Sequence, residues 1–211
     1  MIIKWLGHAS FLIKTLDKRI YIDPYAGDYT EKADVILITH GHLDHCDSEK
    51  ISSILQAKTV IVTSKECSKQ LSGNIVVLAP GETKEIMGLI IRGTESYNYK
   101  RFRSPGVPFH PKEIQIGFLI ETESKTIYHA GDTDFLPSMK ELGKVDIAFI
   151  PIGGHYTMDL NEAVEATLAI NPKLVVPIHR REASAEKFKE NVENQSDIMV
   201  IILDEGEEMR Q

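Results

Sequence analysis

The six residues HGHLDH, at positions 40–45, constrain this chain more than any other part of its sequence. They directly follow the run VILI at positions 35–38, which is short, uncharged and mostly β-branched and therefore predicts a buried strand. Four side chains that can bind a metal thus stand on a loop that leaves a rigid strand, where proteins usually present their binding groups. The sequence therefore places a polar site at the end of a strand.

The spacing of these donors predicts a metal site. Alternate positions of an extended segment point to the same side, so His40 and His42 can share one cation. The kinked continuation of the loop can direct Asp44 and His45 at a second cation. A single histidine is usually no more than a hydrogen-bonded polar residue, but four donors within six residues are typical of metal binding.

Length and composition restrict the remaining classes of protein. The 211 residues suit one domain at positions 1–211, or one fold built from two related halves, and 42% hydrophobic residues can form a sizeable core. A formal net charge of −7 argues against bulk electrostatic attraction to nucleic acid or to an anionic membrane. Because the two cysteines form no CxxC pair and no signal peptide or transmembrane span is evident, we expect a cytoplasmic protein with reduced thiols.

Apolar runs that predict strands recur in both halves of the chain. Strands are predicted at positions 1–6, 10–15, 19–22, 35–39, 59–63, 75–78, 89–92, 117–121, 126–129, 146–150, 174–178 and 198–203. Helices are predicted at positions 48–55, 64–71, 136–142, 159–170 and 183–192. Asp23, the HGHLDH segment, Asp132 and His179 each come at or just after the end of a predicted strand. If the sheets are stacked, these ends can converge on one edge and surround two cations.

The segment at positions 93–115 shows no sustained period and is predicted to be one long loop. Long loops in compact domains are usually functional or disordered. Its aromatic and basic side chains suggest a wall over the metal site, with Arg101 and Arg103 as candidates for binding an anionic substrate. A solvated charged surface is the default interpretation of such arginines, and substrate binding is the hypothesis set against it.

Several motifs together resemble one known family. They are HxHxDH at positions 40–45, GDT at 131–133 and His179, with WLGHA at 5–9, YHAGDTD at 128–134, PIGG at 151–154, YTM at 156–158 and VPIH at 176–179. This set resembles the metallo-β-lactamase fold superfamily, and within it the metal-dependent hydrolases related to ascorbate-6-phosphate lactonase and N-acylphosphatidylethanolamine phospholipase D. The resemblance implies an α/β fold, a four-layer αββα sandwich of two similar halves. It says less about the substrate, because one scaffold hosts many chemistries.

The resemblance also implies a role for each polar residue at the strand ends. The implied ligands are His40 and His42 for the first cation, Asp44, His45 and His179 for the second, and Asp132 as the bridge. Asp23 is implied to hold a metal-binding histidine from behind, the orienting role that such carboxylates often have. Local sequence alone would read Asp23, which precedes Pro24, as a turn former.

Four histidines remain after this assignment. The first cation still needs a third nitrogen, and we favour His110 over His129, which lies inside a strand three residues before Asp132 and is expected to pack behind the ligands. His8 either lines the site or caps local backbone, and the second role is favoured. His155, in a glycine-bearing loop, is a candidate proton donor or substrate contact, with a plain loop residue as the alternative.

The predicted activity is metal-dependent hydrolysis. Two cations, zinc or alternatively manganese, lower the pKa of a bridging water from about 15.7 toward neutrality, and Asp44 and Asp132 hold this hydroxide. The expected substrate is a small ester, lactone or phosphodiester, for which the basic residues near the site would suit an anionic group, and no membrane partner is expected. A nuclease is the second reading, disfavoured by the acidic balance, and a metal-binding sensor without catalysis is the third. The sequence leaves self-association into a homo-oligomer open.

Overall fold

The computed structural model describes residues 1–122 and 125–211. The strands are β1 Ile2–Gly7, β2 Ser10–Thr15, β3 Lys18–Ile22, β4 Val35–Ile38, β5 Val60–Thr63, β6 Asn74–Val77, β7 Thr83–Ile86, β8 Leu89–Thr94, β9 Phe102–Ser104, β10 Val107–Pro108, β11 Gly117–Glu121, β12 Thr126–His129, β13 Ile147–Pro151, β14 Leu174–Ile178, β15 Met199–Val200 and β16 Glu208–Arg210. The α-helices are α1 Ser48–Ile54, α2 Lys65–Ser68, α3 Leu160–Ile170 and α4 Ala185–Glu193, and a 3-10 helix covers Pro137–Glu141.

Two seven-stranded sheets repeat the same plan. The first has the order β16-β1-β2-β3-β4-β5-β6 and the second β7-β8-β11-β12-β13-β14-β15. In the first sheet β1, β2 and β3 are antiparallel and β3 to β6 are parallel. In the second, β7, β8, β11 and β12 are antiparallel and β12 to β15 are parallel. The two halves are therefore built alike, and β3 and β4 correspond to β12 and β13.

Three apolar layers separate the two sheets and the helices. Val35 and Leu37 of β4 face the core between the sheets, whereas Ile36 and Ile38 face the layer that holds residues of α1 and α2. A third layer packs α3, α4 and the 3-10 helix onto the second sheet. Because both faces of β4 are covered, its sequence is apolar without alternation. The predicted four-layer αββα sandwich is confirmed.

The helices begin where the sequence supplies caps. Asp47 accepts hydrogen bonds from the first turn of α1. Asp159 and Glu162 form the predicted capping box of α3, which ends at Asn171 in the left-handed conformation (φ 52°). The α3 helix has 11 residues. Within the described ranges, no helix is long and apolar enough to cross a membrane.

Several predicted boundaries were wrong. The segment at 93–115 is not wholly irregular, because β9 and β10 pair within it. The helix predicted at 136–142 is a 3-10 helix, and the strand predicted at 198–203 is reduced to β15. The polar strand β7 and the late strand β16 were not predicted. β16 pairs with β1 at the other end of the chain, a contact that no local pattern shows.

Candidate metal centre

The topology brings the predicted ligands to one edge of the sandwich. Asp23 follows β3 and the HGHLDH segment follows β4, while Asp132 and His179 follow β12 and β14. Each of these strands belongs to the parallel part of its sheet, so its carboxyl end lies at the same edge as that of its neighbours. The two sheets meet there, where the Ile116 N–H donates to the Thr39 carbonyl at 3.1 Å. The strand ends of both halves therefore surround a common space.

Three histidines form the first cluster. His42 Nδ1 lies 3.0 Å from His40 Nε2 and 3.2 Å from His110 Nε2. His40 and His110 are buried, whereas His42 is exposed. The donor nitrogens of all three lie within 4.8 Å of one another, so a single cation can contact them together.

Asp44, His45 and His179 form a second cluster, together with His8. His8 Nε2 lies 3.3 Å from Asp44 Oδ2. The four donor atoms of this cluster also lie within 4.8 Å of one another. The two clusters lie next to each other, since the rings of His40 and His45 have centroids 4.1 Å apart.

Asp132 contacts both clusters. Its Oδ1 lies 3.4 Å from His45 Nε2, and its Oδ2 lies 3.1 Å from His179 Nε2 and 3.5 Å from His110 Nε2. The carboxylate is almost fully buried. Its backbone carbonyl accepts a hydrogen bond from the Gln115 side chain at 2.5 Å, which fixes the residue between the clusters.

Polar groups behind the histidines fix their ring orientation. Asp23 Oδ2 lies 2.8 Å from His45 Nδ1 and accepts from the Thr39 hydroxyl at 2.8 Å, and that hydroxyl lies 3.0 Å from His40 Nδ1. Asn98 Oδ1 accepts from His110 Nδ1 at 2.7 Å and from the His110 N–H at 3.1 Å. With one ring nitrogen held in this way, the other is turned toward the cluster, as in metal sites with an outer ring of acceptors.

Nitrogens without partners support the presence of a cation. Apart from their contacts with the carboxylates of Asp132 and Asp44, four buried nitrogens have no hydrogen-bond partner among the residues that the structure describes: His8 Nε2, His45 Nε2 and both ring nitrogens of His179. Buried polar atoms normally have such a partner. Imidazoles and carboxylates are the ligands of zinc and of related divalent metals. The residues at this edge therefore fit divalent metal ions.

Burial and charge set the protonation states. Burial lowers the pKa of His40, and it lowers that of His110 to about 4, so both imidazoles are neutral at pH 7, the form that binds metals. Burial also lowers the pKa of His45, but Asp132 and Asp23 outweigh it and raise the value well above the usual one. Burial raises the pKa of Asp132, and His179 and His45 outweigh that effect, so the carboxylate is ionised.

A cavity of about 250 Å³ opens onto both clusters. It is lined by His42, Asp44, Phe109, His110, Asp132, Tyr156 and Arg181. The Arg181 guanidinium lies 4.8 Å from the centre of the Tyr156 ring, so the wall opposite the ligands is both aromatic and cationic. This is the space that a substrate would occupy.

Comparison with known proteins decides the family. A family model described as the beta-lactamase superfamily domain matches residues 2–179. The chain belongs to this superfamily. The UPF0173 metal-dependent hydrolase of Thermoplasma acidophilum is 36% identical over 208 residues, which cover 88% of either protein. That of Methanosarcina mazei is 31% identical, and the match covers 99% of this chain and 97% of the relative. The chain is thus a metal-dependent hydrolase, and the superfamily inferred from its motifs is confirmed.

Solved structures agree with this assignment. A candidate metal-dependent hydrolase from Parabacteroides distasonis is 32% identical, with a TM-score of 0.88 over 95% of this chain and 91% of that one. Igni18, a metallo hydrolase from Ignicoccus hospitalis, is 27% identical, with a TM-score of 0.82 over 99% of this chain and 98% of that one. The shared architecture extends over nearly the whole length of the hydrolase.

The structure separates the two candidates for a third nitrogen in the first cluster. His110 lies in that cluster, as described above. His129 does not belong to any of the ligand clusters among the described residues. Its Nδ1 accepts from the Gly131 N–H at 3.2 Å, so its Nε2 carries the hydrogen and donates to the Ala9 carbonyl at 3.0 Å. His129 therefore packs behind the ligands and holds the turn that leads to Asp132.

Arg101 does not lie in the cavity, where the predicted role in binding an anionic substrate would require it. Its guanidinium donates to Asp134 Oδ1 at 2.6 Å and pairs with Glu162, and its Nε donates to the Gly154 carbonyl at 2.8 Å. The side chain is only 10% exposed and does not line the cavity. We therefore correct the assignment of Arg101, which anchors its loop to the second half. Asp134, the buried partner, was missed because only the tertiary fold brings the two together.

Arg103 and His155 are both exposed. Arg103 belongs to β9, and its positive charge contributes to lowering the pKa of His42, after burial and other charges. The His155 ring lies against Phe109 and Tyr156 and faces a neighbouring depression of the surface. His155 does not line the cavity over the clusters, so its position does not support the predicted role as proton donor.

The expectation for His8 was wrong, and Asn98 was missed. The His8 side chain does not cap local backbone but lies in the second cluster. Its position in a hairpin tip at the edge where β3 and β4 end is a signal that could have revealed it. Asn98 gave no such signal, because its contact with His110 depends on how the loop between β8 and β11 folds.

Proposed function

We propose that this hydrolase is dinuclear. His40, His42 and His110 would hold one divalent cation, and Asp44, His45 and His179 would hold the other. The observation that carries the proposal is Asp132, whose two carboxylate oxygens contact histidines of both clusters. Zinc is the proposed metal because imidazole and carboxylate ligands suit it, with manganese as the alternative.

Asp132 and Asp44 would have different roles in the proposed hydrolysis. When bound, two divalent cations make a water molecule nucleophilic at neutral pH and polarise the bond to be cleaved. Asp132 supports this by holding one negative charge between the clusters. Burial raises the pKa of Asp44, but His8 and His45 outweigh it and hold the value below the usual range. Asp44 is therefore ionised at neutral pH, so it can accept a hydrogen bond or bind a cation but has no proton to donate.

The proposed substrate is a small anionic ester, lactone or phosphodiester. A cavity of about 250 Å³ admits a small molecule. Within residues 1–122 and 125–211, Arg181 and Arg103 have no carboxylate within 4.0 Å and are free to pair with an anion. The acidic balance of the chain continues to disfavour a nucleic-acid substrate, and a cytoplasmic location remains part of the proposal.

Removal of the shared carboxylate tests the proposal. We expect about two divalent metals per chain in the wild type by elemental analysis, and loss of at least one in Asp132→Ala. Chromogenic phosphodiester, phosphomonoester and lactone substrates, assayed with zinc or manganese, should identify the bond that is cleaved. Full metal occupancy in Asp132→Ala would contradict the bridging role, and a wild type that holds two metals but cleaves none of these substrates would contradict the substrate class.

A further inference from the structure

The tip of the first hairpin carries a histidine in an unusual backbone conformation. β1 and β2 are joined by His8 and Ala9, and His8 has a φ of 52°. Glycine, asparagine and aspartate dominate such positions, because most side chains are strained there. Strained residues tend to occur where function requires them.

The hairpin tip lies at the metal edge because of the strand directions. β1 and β3 are both antiparallel to β2, so β1 ends at the same edge as β3 and β4. The His8 carbonyl accepts from the His179 N–H at 3.1 Å and from the Trp5 indole at 3.2 Å. The Ala9 carbonyl accepts from His129 Nε2 at 3.0 Å. The backbone of the tip is thus held by the second sheet, and this fixes the direction of the His8 side chain.

The His8 imidazole has the surroundings of a ligand. Its ring centroid lies 4.1 Å from that of His179 and 5.3 Å from that of His45. Its Nε2 lies 3.3 Å from Asp44 Oδ2, yet this buried nitrogen has no hydrogen bond of acceptable geometry to any described residue. Two ligands that lie about 2.0–2.2 Å from one cation are about 3–3.7 Å apart, whether the cation has four ligands or five. The contact therefore has the spacing of two ligands of one cation.

We propose that His8 Nε2 is an additional ligand of the second cation. This inference rests on the proposed dinuclear function and makes the two sites unequal. The first would have three histidines and the shared Asp132. The second would have His8, His45 and His179 with Asp44 and Asp132, a set of five protein donors. The first site would therefore suit a cation with four protein ligands, and the second site a cation with five.

Metal affinity provides the first test. His8→Ala should weaken binding of the second cation by more than the about 10–100-fold that loss of an outer partner typically costs, measured by chelator competition, and leave the first unchanged. His155→Ala is the matched control, since His155 is exposed and lies outside the ligand clusters, and it should change neither affinity. Equal affinities in His8→Ala and the wild type would overturn the proposal.

Spectroscopy of the wild type provides a test that does not depend on the variant folding. With ¹¹³Cd in both sites and ¹⁵N-labelled histidine, the His8 side chain should show a scalar coupling to the same cadmium as His45 and His179. Coupling at His45 and His179 without coupling at His8 would overturn the proposal and leave the dinuclear function intact. A wild type that binds only one cadmium would instead contradict the dinuclear function itself.

Discussion

The two halves of this hydrolase share a scaffold down to single side chains. Asp34 precedes β4 and accepts from the Arg19 N–H of the neighbouring strand at 2.9 Å, and Asp146 precedes β13 and accepts from the Thr126 N–H at 2.9 Å. Each carboxylate also pairs with an exposed lysine, Lys58 at 2.9 Å and Lys173 at 2.8 Å. These aspartates begin corresponding strands at the edge opposite the metal clusters.

The same strands end differently. The loop after β4 carries four of the donors in the clusters, whereas the loop after β13, at positions 152–158, carries none of them. Instead it supplies Tyr156 to the cavity wall. The comparison shows that a repeated scaffold aligns two sets of loops at one edge, and that the loops after corresponding strands can carry different side chains there, cluster donors after β4 and a cavity-lining aromatic after β13.

The largest expected effect comes from removing one ligand of each cluster. His110→Ala should empty the first site and His179→Ala the second, because each removes a nitrogen from a different cluster. Elemental analysis should show about one metal per chain in either variant, with hydrolysis reduced to near the uncatalysed rate. His129→Ala is the control, and loss of the first-site metal in that variant instead of His110→Ala would reverse the assignment.

Substitution of two arginines in the second half tests whether one stabilises the fold and the other binds substrate. Arg101→Ala should lower the free energy of unfolding by about 3 kcal/mol, because it leaves the buried Asp134 without its ionic partner. Arg181→Ala should leave stability and metal content unchanged but raise KM for an anionic substrate about tenfold, as loss of uniform binding does. Denaturant titration and steady-state kinetics measure the two effects.

A neutral ester of similar size is the control for Arg181. Its KM should change little in Arg181→Ala. If KM rises equally for the neutral and the anionic substrate, the Arg181 guanidinium does not bind the anionic group of the substrate. The same comparison should then be made with Arg103→Ala.

The orienting groups behind the ligands should have a smaller effect on metal binding than the ligands themselves. Asp23→Asn keeps the size of the side chain but weakens its hold on His45 and Thr39. We expect metal affinity to fall about 10–100-fold, as is typical when such outer contacts are lost. Chelator competition measures the change, with Asn98→Ala as the comparison for the first cluster. If Asp23→Asn binds both metals as tightly as the wild type, the carboxylate is only a turn former.

Sequence reasoning succeeded where the chemistry is local. The apolar run of β4 and the donors that follow it are adjacent in the chain, so their pattern could be read directly. Arg101 and His8 were misjudged because their partners, Asp134 and His179, are brought close only by the tertiary fold. β16 was missed for the same reason, since it is short and pairs with β1. Contacts between distant segments leave no period in the sequence.

The smallest effect tests the likeness of the halves. Burial raises the pKa of Asp34 and of Asp146, but hydrogen bonds from lysine and backbone outweigh it and hold both below the ordinary 3.8. Their stabilisation is therefore present above pH 3.8 and lost as the pH falls below it. Asp34→Asn and Asp146→Asn should each cost about 1 kcal/mol at pH 7, and less at pH 3. The free energy of unfolding should be measured by urea titration of the metal-free protein. If Asp34→Asn and Asp146→Asn lower it by different amounts, the two aspartates do not have equivalent roles in the two halves.

The hydrogen bonds across the metal edge have a consequence for the spacing of the two clusters. The His8, Ala9 and Thr39 carbonyls of the first sheet accept from groups of the second, at 3.1, 3.0 and 3.1 Å. Sliding of one sheet over the other would break all three bonds at once. Since both clusters draw side chains from both sheets, the separation between the two clusters is a dimension of the fold itself. Cations of different radius would then differ in how tightly they bind and not in how far apart they stand.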